Sequence, residues 1–123
     1  MKAKTLRNIF ISSIYQNAGK TAISLGLYQI LKERKIRTAF MKPIGQQIVP
    51  IGDYDIDKDS YLIGEVFHTK KFFKEMSPVT IGRGYTERYI FNPRKDELKG
   101  TILKAFDSLK KRKEAIIIEG TGH

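Results

Sequence analysis

The chain has 123 residues, no cysteine and two scattered histidines, His68 and His123, which excludes a disulfide framework, thiolate chemistry and a histidine-cluster metal site and fits one domain with a modest core. Hydrophobic residues make up 41% and charged residues 29%, with a formal charge of +10, so nucleic acid must be weighed as a partner. No apolar run approaches a membrane span, and the one near the N-terminus is short and broken by Ser12 and Ser13, unlike a secretory leader. The expected setting is cytoplasmic, with no membrane partner.

Residues 7–13 read as a buried strand, because Ile9, Phe10 and Ile11 form a short apolar run bounded by polar residues. Gln16-Asn17-Ala18-Gly19-Lys20-Thr21 follows and ends in the Gly-Lys-Thr core of a phosphate-binding loop. Gly19 permits the backbone conformation that turns successive N–H groups towards a phosphate. Lys20 reaches the terminal phosphates, and Thr21 is placed to ligate Mg²⁺ from the first helical turn. A helix over 20–34, with Ile23, Leu27, Ile30 and Leu31 inward, would add its partial positive charge at the same place. The consensus glycine five residues before Gly19 is Ile14 here, with Ser13 one place earlier. Gly-Lys-Thr alone is compatible with a plain helix start and an exposed lysine. The strand before it and the helix after it favour a nucleoside triphosphate site.

Ile36–Met41 reads as a second strand, and Pro43 bars a helical conformation at Lys42. A lysine fixed in this way is a second candidate cation for phosphoryl chemistry. Gly45 to Asp55, with Pro50 and Gly52, reads as a loop. Asp57 or Asp59 caps a helix through Tyr61, Leu62, Val66 and Phe67, and either acid opens that helix towards a metal. A calcium loop is the competing idea, but its glycine and terminal glutamate spacing is absent. Residues 69–94 read as irregular, with a short helical turn near Thr86–Ile90.

Residues 95–112 form an amphipathic helix with Leu98, Ile102, Leu103, Phe106 and Leu109 on one face. Ala115–Ile118 is a strongly apolar strand that delivers Glu119-Gly120-Thr121-Gly122 to its end. Glu119 there is placed to hold Mg²⁺ or orient an attacking group. Gly120 and Gly122 allow the backbone to approach a ligand. Basic clusters at Lys32–Arg37, Lys70–Lys74 and Lys110–Lys113 fall largely at helix ends and, apart from Phe72 and Phe73, lack the interleaved aromatics of an RNA-stacking surface. Strands alternating with helices imply an α/β fold, a three-layer α/β/α arrangement of the P-loop NTPase type with a mostly parallel sheet. Ligands of such sheets bind at the carboxyl ends of the strands, where the Gly-Lys-Thr loop, Lys42-Pro43 and Glu119-Gly120 gather.

The ordered set Asn17-Ala18-Gly19-Lys20-Thr21, Lys42-Pro43-Ile44, Asp57-Lys58-Asp59, Ser77-Pro78-Val79 with Gly84-Tyr85-Thr86, and Ile118-Glu119-Gly120-Thr121-Gly122-His123 resembles the dethiobiotin-synthetase-like P-loop domain. The resemblance covers nearly the whole chain and is strongest to the version fused N-terminally to phosphate acetyltransferases or regulatory domains. It implies ATP and Mg²⁺ as cofactors, with Lys20 and Lys42 in catalytic roles. Gln16, Asn17, Ala18, Gly19, Lys20, Thr21, Glu119 and Gly120 would bind the nucleotide, and Thr21, Asp59 and Glu119 the metal. A small-molecule acceptor and a homo-oligomeric intact protein are expected partners. Ser13 in place of the first glycine departs from the synthetase loop, and the Thr-Gly-His ending is closer to the acetyltransferase-linked version, so biotin synthesis is not the expected role.

Related domains continue past Gly-His. The chain is therefore expected to be one truncated P-loop domain, marginal by itself and unable to turn over ATP alone. Two other classes compete. A partition or septum-positioning ATPase would carry a lysine four residues before Gly19, where Tyr15 stands. A basic nucleic-acid-binding module would need the loop match to be chance.

Overall fold

Ala115 to Glu119 is the most apolar run in the chain, and it takes the most enclosed place available. In the computed structural model, which describes residues 6–12, 19–81 and 95–120, it forms the centre of a parallel sheet. The elements in chain order are β1 (Arg7–Ile11), α1 (Lys20–Glu33), β2 (Thr38–Met41), β3 (Ile44–Gly45), β4 (Ile48–Ile51), β5 (Tyr54–Asp57) and α2 (Lys58–Phe67). A 3₁₀ turn (Lys70–Phe72), α3 (Phe73–Met76), β6 (Val79–Thr80), α4 (Lys95–Leu109) and β7 (Ala115–Glu119) follow. The main sheet has the order β1-β7-β2, with Ile11 opposite Glu119 and Met41 opposite Ile118. Every residue of β7 and β2 is buried, whereas β1 is half open and its Phe10 is 69% exposed. This is a mixed α/β fold of the P-loop NTPase type. Parallel pairing requires crossovers, and helices supply them.

Phe40, Met41, Ile56, Ile63, Met76, Ile116 and Ile117 form the centre of the core. Tyr28 of α1 stacks on Phe67 of α2 with ring centroids 4.1 Å apart. Gly64 is required where α2 meets α3. A Cβ there would lie 2.0 Å from Phe73 Cε1, so only glycine admits that ring.

Several expectations about local structure need correction. Helix α1 turns only part of its expected apolar stripe inward: Leu27 and Leu31 are half-buried against the core, but Ile23 and Ile30 are not. Lys20, Ser24 and Tyr28 are its buried residues, and Ile23 and Ile30 are 56% and 48% exposed. The reason is at its N-terminus and its middle: Ser24 reaches a buried carboxylate, and the Tyr28 hydroxyl donates to the Thr38 carbonyl at 3.0 Å. Those polar contacts fix the rotation against simple apolar periodicity. In α2 the inner face is Ser60, Ile63, Gly64 and Phe67, while Leu62 and Val66 are exposed.

The expected loop from Gly45 to Asp55 is instead a hairpin, β4 paired antiparallel with β5, in which Ile51 faces Tyr54 across the two-residue turn Gly52-Asp53. Gly52 has φ +60°, the left-handed conformation that a two-residue hairpin turn requires. The segment 70–80 is also ordered, and β6 pairs in parallel with β3. Helix α4 ends at Leu109 rather than Arg112, and its Leu103 is 52% exposed. The helical turn expected near Thr86–Ile90 lies outside the described residues.

Candidate functional site

Glu119 is the last residue of the central strand. Its position follows from the apolar run before it: four buried residues lock the register, and the fifth arrives at the carboxyl edge. It is 1% exposed, so its carboxyl group must find partners within the fold. Thr21 Oγ1 donates to one oxygen at 3.2 Å, and Ser24 Oγ to the other at 3.0 Å. Both hydroxyls come from the first turns of α1, three residues apart and on one helix face. Gly19 precedes them with φ +85°, a left-handed turn into the helix.

Lys42 extends from the residue after β2. Its backbone N–H donates to the Met76 carbonyl at 2.8 Å, which holds the Lys-Pro turn against the end of α3. Its ammonium lies 2.5 Å from Asp59, 3.6 Å from Asp57 and 3.7 Å from Glu119. Lys42 therefore sits among acids from two separate parts of the chain. Asp57, not Asp59, is the N-cap of α2: its carboxylate accepts from the Asp59 N–H at 2.8 Å. Its own N–H donates to Ser77 Oγ at 2.7 Å. Gly45 leaves room for Asp57, since a Cβ on Gly45 would stand 2.4 Å from the Asp57 Cβ. Capping by Asp57 aims Asp59 out of the first helical turn at Lys42.

Burial and proximity divide the protons unequally. Burial, followed by the hydrogen bond and negative charge of Asp59, pushes the Glu119 carboxyl up to about 7. Asp59 moves the other way: burial alone would raise it, but hydrogen bonds with Glu119 and Lys42 hold it below the usual carboxylate value. Burial raises Asp57, against the opposing charge of Lys42. Burial would lower Lys42, yet the Asp59 hydrogen bond and the three carboxylates hold its ammonium above the usual lysine value. Glu119 is thus the favoured carrier of the proton the two acids share, and it gives that proton up around neutrality.

Glycine 19, Lys20, Thr21, Lys42, Asp59, Glu119 and Gly120 all lie at the carboxyl edge of the sheet, and Lys20 is buried. Gly120 donates its N–H to the Ile11 carbonyl at 2.9 Å, fastening β7 to β1 where the loop begins. Gln16, Asn17 and Ala18, as well as Thr121, Gly122 and His123, lie outside the described residues. Ser24 and Ser77 are site residues that motif reading did not single out for a role. For Ser24 the signal was its spacing, one helical turn beyond Lys20 and Thr21 on a face otherwise expected to be apolar.

The converging donors for a cation are all oxygens: the Thr21 hydroxyl and the Asp59 and Glu119 carboxyls. Among the described residues no three His, Cys, Asp or Glu side chains form a metal cage. One hydroxyl with two carboxyls suits Mg²⁺, which binds few protein ligands and completes its shell with phosphate and water. Among the described residues no helix is long and apolar enough to cross a membrane.

A left-handed glycine before a helix, a buried lysine in its first turn and an acid at the end of the adjacent strand define a P-loop nucleotide-binding α/β domain. Comparison with known families agrees, since a family model described as an AAA domain matches residues 7–123. The chain belongs to that family and is a dethiobiotin-synthetase-like P-loop domain. It is 30% identical over 117 residues to the ATP-dependent dethiobiotin synthetase of Methanococcus vannielii, covering 93% of this chain and 51% of that protein. It is 28% identical over 120 residues to the Akkermansia muciniphila protein of the same name, covering 95% and 52%. It is 25% identical over 115 residues to a phosphate acetyltransferase of Pseudomonas putida, covering 94% of this chain and 15% of the relative. The chain thus spans about half the length of the synthetases it matches.

Proposed function

We propose that this domain binds ATP together with Mg²⁺, and that the intact protein uses the nucleotide in ATP-dependent phosphoryl chemistry or senses it in a setting linked to phosphate acetyltransferase. The supporting observation is the set of contacts joining Thr21, Glu119, Lys42 and Asp59 at the carboxyl edge, beside the Gly19-Lys20 turn. Lys20 supplies fixed positive charge to the terminal phosphates, and the α1 N-terminus adds its dipole. Thr21, Asp59 and Glu119 are the residues that would hold Mg²⁺, which when bound neutralises phosphate charge and fixes phosphate orientation. Lys42, held among its acids, would place a second cation at the transferring group. A small-molecule acceptor would complete a ligase-type reaction. Cytoplasmic location and a homo-oligomeric intact protein belong to the same reading.

Calorimetry of the intact protein with ATP and Mg²⁺ tests it. Lys20→Ala should remove most of the affinity, because a charge-assisted phosphate contact is lost from a buried lysine. Equal nucleotide affinity in wild type and Lys20→Ala would sink the reading.

A further inference from the structure

At the opposite, amino end of the sheet lies a cleft of about 350 Å³, within the size range of small-molecule sites, about 300–1,000 Å³. It opens beside Thr38, the first residue of β2, and beside Lys113, just ahead of β7. Its floor is core material: Phe40, Met76 and Leu109 are 1%, 2% and 4% exposed. Such residues are held by their packing, so the apolar wall exists before any ligand arrives.

Lys111, Arg112 and Lys113 also line this space, and among the described residues its lining includes no aspartate or glutamate. The turn that carries them is pinned. Arg112 takes a left-handed backbone, φ 60°, and its carbonyl accepts from Arg37 Nε at 2.7 Å. Lys113 Nζ stands 5.8 Å from the centre of the Phe72 ring, and Lys71 Nζ stands 5.2 Å from it. Two basic clusters far apart in sequence, 70–74 and 110–113, thus meet around one aromatic wall. An apolar floor under a cationic rim is complementary to an anion with an apolar body. Nothing in the nucleotide reading uses this cleft.

We propose that the cleft binds a small organic carboxylate, with its apolar or aromatic body against Phe40, Phe72 and Leu109 and its charge at the Lys111–Lys113 rim. The inference is independent of the nucleotide site. Its test is an NMR titration of the intact protein with 2-naphthoate and with the uncharged 2-naphthamide, in the presence and absence of ATP with Mg²⁺. The carboxylate should bind tighter than the amide by up to about fivefold, as one partly exposed ion pair allows. Binding should persist with ATP present and in Lys20→Ala. Ser108→Trp, at an exposed position lining the mouth, should abolish binding of both probes. The double variant Lys111→Gln with Lys113→Gln should reduce the carboxylate to the level of the amide and leave the amide unchanged. Equal affinity for both probes, unimpaired binding in Ser108→Trp, or loss of binding in Lys20→Ala would overturn the assignment. The last outcome would locate the anion in the phosphate loop instead.

Discussion

The two ends of the sheet handle charge in opposite ways. At the carboxyl edge, Lys42, Asp57, Asp59 and Glu119 are largely withdrawn from water and pair at short range, with Asp57 Oδ1 alone among their described oxygens left buried without a hydrogen bond. At the amino edge, Lys111 and Arg112 stay exposed, and the buried acid beside them, Glu114, pairs with the largely exposed Arg37 at 3.5 Å. Burying charge is unfavourable unless each group is paired. The carboxyl edge therefore gives up stability for a fixed arrangement of charge, which the proposed phosphate and Mg²⁺ would meet without reorganisation. The amino edge keeps its cations solvated, and substitutions there should be mild. Substitutions at each edge should therefore differ in cost.

The largest effect should come from Lys42→Ala. It leaves Asp57, Asp59 and Glu119 buried without the cation that faces them, and breaking a buried pair costs about 3–5 kcal/mol. Denaturant unfolding of the intact protein at pH 7 would measure it. A loss no larger than that of a surface substitution would show that the cluster is far more hydrated than its burial suggests.

Glu119→Gln should separate stability from function. In the fold Glu119 keeps its proton up to about 7, against 4.5 for an ordinary glutamate. The folded state thus binds more protons than the unfolded chain between those values, so stability falls as pH rises from 4.5 to about 7. Glutamine keeps the neutral shape and does not titrate. The variant should be more stable than wild type above pH 7, by up to about 3 kcal/mol, and its melting temperature should vary less over that window. Its affinity for ATP with Mg²⁺ should drop sharply, while wild-type affinity should rise with pH through about 7 as Glu119 gives up its proton. A Glu119→Gln protein that is no more stable at pH 8 would refute the burial argument.

Gly64→Ala should come next, at about 1–3 kcal/mol, because the new methyl group meets the Phe73 ring in a packed interior. A Phe73→Leu background should relieve part of that loss if the ring is the cause. The smallest effect belongs to the exposed pair Glu65 and Lys70, 3.0 Å apart. Glu65→Gln should leave the thermal midpoint where it was, because an ion pair in water contributes little.

Legibility followed the same division. The order of strands and helices that flanks the loop could be read from local pattern, because a fully apolar run such as Ala115–Ile118 has one comfortable place, the middle of a sheet. Glu119 and Lys42 were legible for a related reason: one ends a strand and the other directly follows one, so their arrival at the carboxyl edge depends only on strand direction. The hairpin at Ile48–Asp57 was written as Ile51-Gly52-Asp53-Tyr54, a two-residue turn between β-rich flanks, but Pro50 and the surrounding acids obscured it. The rotation of α1 was only partly readable from period, which placed Leu27 and Leu31 correctly against the core. Ile23 and Ile30 compete for the interior with Ser24 and Tyr28, and the winner is settled by Glu119, 95 residues from Ser24 along the chain.

The sequence by itself determined the class of fold, the parallel sheet, the phosphate-binding loop and the acids and lysines available to it, since these depend on short-range pattern and on chain direction. Only the tertiary structure decided that Asp57 caps α2 while Asp59 faces Lys42, that Ser24 supports Glu119, and that Lys71 and Lys113 meet at the Phe72 ring. Each of those outcomes depends on contacts between segments distant in sequence, and the balance of burial against pairing that selects them exists only once the segments have met.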